Sequence, residues 1–163
     1  MQNHFNVHGH RFSKFGMLAL VLVGGPVMMG ASCSTTLLSV TEPLSANVTL
    51  ASLQQAGVPA SVMSAICGAG PDAFIFRTFN VAAGQTVFAE AAGPTTNSRP
   101  QILAFSQTTG SLLAASSNNP TLQNATLSFV PTSAETIGFL VTECGTVTAA
   151  TATSSPYNVL VQQ

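Results

Sequence analysis

The chain has 163 residues, 46% of them hydrophobic and only 6% charged, with four basic side chains against five acids. So few cations exclude a basic stripe for nucleic acid and a polybasic membrane patch. No tryptophan and one tyrosine leave little of the flat, amphipathic aromatic surface on which sugars stack.

The basic residues crowd the start: His4, His8, His10, Arg11 and Lys14 precede the first acid, Glu42. Residues 17–23 (MLALVLV) are continuously apolar, Gly24, Gly25 and Pro26 break the run, and Gly30, Ala31 and Ser32 are small. A basic region, an apolar region of about 7–15 residues and a small-residue cut site make a secretory signal peptide. A membrane-spanning helix needs about 20 apolar residues, and this run is shorter. The predicted cut falls before Cys33, and two readings of it stay open. Gly30 and Ser32 suit an ordinary signal peptidase. Ala31, Ser32 and Cys33 also resemble a bacterial lipobox, in which Cys33 is lipidated, although Gly30 stands where that motif usually has leucine. The division expected is a signal peptide over 1–32, a Ser/Thr-rich tether over 33–47 and a β-sandwich over 48–163. The protein is expected to be exported, either secreted or lipid-anchored in the cell envelope.

Cutting before Cys33 removes every histidine and the only lysine. What remains is Arg77 and Arg99 against Glu42, Asp72, Glu90, Glu135 and Glu143, a net charge of −3. Without histidine there is no Ser-His or Cys-His nucleophile pair and no base poised near neutrality. The cysteines are too far apart for zinc-ligand spacing, and Gly68-Ala69-Gly70-Pro71 is not a phosphate loop. One catalytic option survives, two converging carboxylates among Glu90, Glu135 and Glu143, which glycoside hydrolysis needs about 5–10 Å apart. The expectation is a protein without catalytic residues, cofactor or metal. Cys67 and Cys144 are the expected disulfide if Cys33 is lipidated. With Cys33 a free thiol, three pairings are possible. In an oxidising compartment such a bridge is favoured.

Residues 47–53 (NVTLASL) alternate apolar and polar and predict a first strand. In 54–67, Val62, Met63 and Ile66 have helical spacing, but Gly57 and Pro59 limit any helix to a turn or two. Residues 74–81 and 86–88, separated by a short loop holding Gly84, predict a β-hairpin, with Arg77 pairing Glu90 across it. Strands follow at 101–106 and 111–116, joined by the turn 107–110. Others are expected at 125–130, 136–144 and 156–162, the last placing Tyr157, Val159 and Val161 on one side. Short strands about ten residues apart, with Gly, Pro, Asn and Ser between them, predict an all-β antiparallel sandwich or jelly roll of about 7–9 strands. The seven phenylalanines beyond the leader fall inside these strands and are assigned to the core. Asn47-Val48-Thr49 and Asn124-Ala125-Thr126 match glycosylation acceptors, which matter only in a eukaryotic secretory host.

Phe79-Asn80-Val81-Ala82-Ala83-Gly84-Gln85-Thr86-Val87 resembles the F-x-V-x-A-G-x-x-V hairpin of bacterial pre-peptidase C-terminal domains. Pro100-Gln101-Ile102-Leu103-Ala104-Phe105, with Thr109-Gly110-Ser111-Leu112-Leu113-Ala114, resembles the strand pair that follows it there. The resemblance covers about residues 72–162. It implies a small jelly-roll-like sandwich that serves secreted enzymes as an accessory or targeting domain. Asp72 is the only aspartate, so the calcium-holding acids of some relatives are largely missing. Three functions are carried forward: a non-catalytic surface, polymer or protein interaction module, a carbohydrate-binding module, and an accessory domain of a secreted hydrolase. The expected partner is an unidentified protein or polysaccharide of the envelope or medium, with membrane attachment only through the leader or a lipid on Cys33.

Overall fold

The computed structural model describes residues 34–67, 73–116 and 123–163. The leader, Cys33, Gly68-Ala69-Gly70-Pro71 and Asp72 lie outside these residues. Eight strands form in the order β1 (Thr36–Glu42), β2 (Ile75–Val81), β3 (Val87–Ala92), β4 (Pro100–Ser106), β5 (Leu112–Ala115), β6 (Asn124–Phe129), β7 (Glu135–Glu143) and β8 (Tyr157–Gln162). They make two antiparallel four-stranded sheets, ordered β1-β8-β3-β6 and β2-β7-β4-β5. The ladders β4·β5, β3·β6, β2·β7 and β1·β8 nest around the β4–β5 turn and alternate between the sheets. The chain is one long hairpin rolled up, the jelly roll expected from the strand spacing.

Alternation sets the inner faces. In β6, Ala125 and Leu127 are buried while Thr126 and Ser128 are exposed, and in β8 Tyr157, Val159 and Val161 face inward. They pack against Ile102 and Ala104 of β4 and Ile137, Phe139 and Val141 of β7. Each large apolar side chain so buried contributes about 1.5–3 kcal/mol.

In β4 and β7 the alternation vanishes, because both faces are covered. Their outer residues Leu103, Phe105 and Leu140 form a second core with Leu53, Val58, Val62 and Phe74. Two short helices, α1 (Leu50–Gln55) and α2 (Ala60–Ala65), supply that cover. Gly57, at a φ of +77°, and Pro59 separate the two: α1 ends just before Gly57, and Pro59 is the N-cap from which α2 starts, so each is limited to six residues, the turn or two expected. A third, α3 (Ala149–Ala152), interrupts the connection from β7 to β8.

Four expectations are corrected. Residues 47–53 are not a strand: the Thr49 hydroxyl accepts from the Ser52 N–H and the Ser52 hydroxyl from the Thr49 N–H, a reciprocal cap that starts α1. The sandwich begins not at 48 but at Thr36, inside the expected tether, because β1 closes the roll against β8. The segments 74–81 and 86–88 do not pair with each other. β2 pairs β7 and β3 pairs β6 and β8, so the loop 82–86 crosses from one sheet to the other. Arg77 consequently meets not Glu90 but Glu42, its Nη2 lying 2.7 Å from Glu42 Oε1.

The connections sort into two poles. The loops 82–86, 107–111 and 130–134 lie at one, together with Thr35 and Gln163. The longer connections, carrying α1, α2, α3, Cys67 and Cys144, leave from the other.

Candidate functional site

The strand parity that turns Ile137, Phe139 and Val141 inward also turns Glu143 inward, at the long-connection pole. Tyr157, at the start of β8 in the opposite sheet, points at it from across the core. Both are fully buried. The Glu143 carboxylate accepts from the Tyr157 hydroxyl at 2.6 Å, the Arg99 N–H at 2.5 Å and the Gly145 N–H at 2.6 Å. A Cβ on Gly145 would collide with the Asn97 carbonyl oxygen, so only glycine lets the backbone come this close. Burial first, and then the bonded Glu143, hold the Tyr157 phenol well above its ordinary range, with the buried Ser98 hydroxyl weakly opposing. Among the described residues no buried side-chain polar atom lacks a partner. With both oxygens of Glu143 already accepting from Tyr157, Arg99 and Gly145, the cluster is a clamp on loops 93–99 and 144–148.

Beside it, Cys67 and Cys144 are joined as a disulfide with Cα atoms 5.6 Å apart, the pairing expected if Cys33 is lipidated. Gln101 completes the fastening: its Oε1 accepts from the Cys67 N–H and its Nε2 donates to the Ala65 carbonyl, both at 2.9 Å. The α1–α2 cap is thus locked to β4 and β7.

The carboxylates do not converge. Glu135 and Glu143 begin and end the nine-residue β7, about 26 Å apart at the usual rise per strand residue. Glu135 accepts from the Ser106 hydroxyl, and Glu90 lies in the other sheet, where Asn124 donates to it at 3.4 Å. Among the described residues no three His, Cys, Asp or Glu side chains are grouped to hold a metal.

Two concave surfaces among the described residues offer room for a ligand. A cleft of about 610 Å³ at the long-connection pole is lined by Glu42, Ser45, Phe74, Arg77 and Thr153 among others. Its Arg77 guanidinium is already paired to Glu42 and to the Phe76 carbonyl. A trough of about 410 Å³ runs along β8 on the outer face of its sheet, which no helix among the described residues covers, lined by Ser39, Thr41, Glu90, Asn158 and Leu160. The Thr41 hydroxyl donates to Asn158 Oδ1 at 2.8 Å there. Tyr157 takes no part, since its ring faces inward. Alternation in β8 and β3 was the signal for this face, yet which sheet stays uncovered depended on helices the alternation at 47–53 concealed.

Comparison with known proteins finds no family profile that matches the chain and no similar curated protein.

Proposed function

We propose that this is a non-catalytic, exported β-sandwich module that acts in the cell envelope or outside the cell by contacting another protein or a polymer. The observation that carries the reading is the Cys67–Cys144 bridge, since such bridges persist in oxidising compartments. It joins the basic-apolar leader and the loss of every histidine and lysine after residue 32. The wide separation of Glu135 and Glu143 on β7 removes one carboxylate pairing that hydrolysis would use.

The test is the intact mass of the protein purified from its own host, with and without reductant. A chain starting at or beyond Cys33 that gains two hydrogens on reduction is expected. A chain retaining Met1 with free thiols would overturn the reading. Added diacylglycerol on Cys33 would choose the anchored form over the secreted one.

The trough along β8 favours a second reading, binding of a neutral polysaccharide. Hydroxyls, an amide and a carboxylate beside Leu160 suit a hydroxyl-bearing polymer. Retention on insoluble glycans that Asn158→Ala abolishes would favour it. Equal retention of the variant would count against the trough. The role as an accessory domain of a secreted hydrolase rests on the pre-peptidase C-terminal resemblance and is tested by co-purification with such an enzyme.

A further inference from the structure

We infer that the pole bearing loops 82–86 and 130–134 rests on the bilayer that anchors the chain, with Val130 as its apolar contact. This rests on the lipid-anchored form of the reading above. In that form the strand at Thr36 changes the geometry. A tether over 33–47 would let the domain tumble freely. Instead Thr35 already exchanges backbone hydrogen bonds with Gln163, so Ser34 alone separates Cys33 from the fold, a reach of about 7 Å. Acyl chains on Cys33 therefore hold this pole at the membrane surface and turn the disulfide, the Glu143 clamp and the Arg77 cleft outward.

The pole suits such a neighbour. Gln163 Nε2 donates to the Ala82 carbonyl at 3.1 Å and the Gly84 N–H to the Pro131 carbonyl at 2.8 Å, joining the chain's entry to both loops. Ala82, Ala83 and Gly84 are exposed, and Val130, at 54%, is the more exposed of the two large exposed hydrophobic residues among those described. Of the six charged side chains among the described residues, only Glu135 lies at this pole, accepting from Ser106. With no basic residue there, the contact is apolar and needs no anionic lipid. Attachment at Cys33 keeps the local lipid concentration high enough for a shallow contact to persist.

The chain has no tryptophan, so Val130→Trp introduces a single fluorescent reporter at an exposed site. The variant is purified from host membranes, its acylation is checked by intact mass, and it is placed in phosphatidylcholine vesicles. Its emission is expected to shift to the blue and to be quenched by lipids brominated on the acyl chains, unchanged by salt. Ala83→Trp on the adjoining loop should behave alike, whereas Thr96→Trp at the far pole should emit as in water and escape quenching. Acylated protein in which Val130→Trp and Ala83→Trp remain water-like, or Thr96→Trp is quenched, overturns the orientation alone. A mass lacking acyl chains on Cys33 overturns the anchored reading and the orientation together.

Discussion

Glu143 holds three donors in a place no water reaches, and its removal is therefore felt at every one of them. Glu143→Ala removes the acceptor shared by the Tyr157 hydroxyl and the Arg99 and Gly145 amides. We predict a loss of about 3 kcal/mol or more, because an unmade buried hydrogen bond costs roughly 1–3 kcal/mol. Glu143→Gln keeps an acceptor and should lose less. Denaturant melts of the three proteins decide it, and equal stability of the alanine variant would refute the clamp. The phenol adds a pH signature. Its ionisation is raised in the fold above the unfolded value of 10, so the folded state retains a proton that the unfolded chain gives up. The contribution of Tyr157 to stability is then constant below about pH 10 and falls above it, by at most about 1.4 kcal/mol per pH unit. Tyr157 is the only tyrosine, so tyrosinate absorbance reads that group alone. Tyr157→Phe should abolish the alkaline decline that belongs to it.

At the scale of elements, the sequence was legible where runs of β-forming residues are set off by turn residues, whether one face of the strand is wet, as in β6, or both are covered, as in β4 and β7. Residues 101–106, 125–130, 136–144 and 156–162 all formed their strands, and the turn 107–110 joined β4 to β5 as expected. Gly110 takes a φ of +71° there, which its lack of a Cβ permits. The illegible parts share a cause, that local pattern does not say what an element packs against. Val48 and Leu50 alternate with Thr49 and Ala51 as a strand would, yet the Thr49–Ser52 cap and the apolar sheet beneath select a helix. Thr36–Glu42 alternates too, but hydroxyl-rich composition hid a strand whose Leu38 and Val40 reach the core. The Glu143 clamp was signalled only by parity, since an acid in phase with Ile137, Phe139 and Val141 must point inward. The cap itself invites a test. Leu53 is the one buried residue of α1, so Leu53→Ala should cost about 2–5 kcal/mol. Hydrogen exchange should speed first in β4 and β7 amides beneath the helices, leaving β3 and β8 protected. Uniform acceleration across both sheets would mean the cap is not a separate layer.

Across the whole molecule, the nested ladders imply an order of assembly. Closing β1 on β8 first would tie off more than a hundred residues for one ladder, whereas β4 and β5 meet across five, from Gln107 to Ser111. Loop-closure entropy grows with the length enclosed. Once β4·β5 stands, the β3·β6 and β2·β7 ladders each close only the added connections. The disulfide, whose cysteines flank β2 and β7, restrains that third ladder in the unfolded chain as well. β1·β8 comes last on this account, and a topology so rich in distant pairings should fold in milliseconds to seconds. Two variants separate the ends of the sequence of events. Gly110→Ala strains the β4–β5 turn, and its loss of stability should appear mainly as slower folding. Val161→Ala empties a fully inward site of β8, and its loss should appear mainly as faster unfolding. Stopped-flow chevrons on the disulfide-intact protein read both arms directly. Should Val161→Ala slow folding while Gly110→Ala speeds unfolding, the roll would close from its outer ladder inward, and the nested-hairpin order would be wrong.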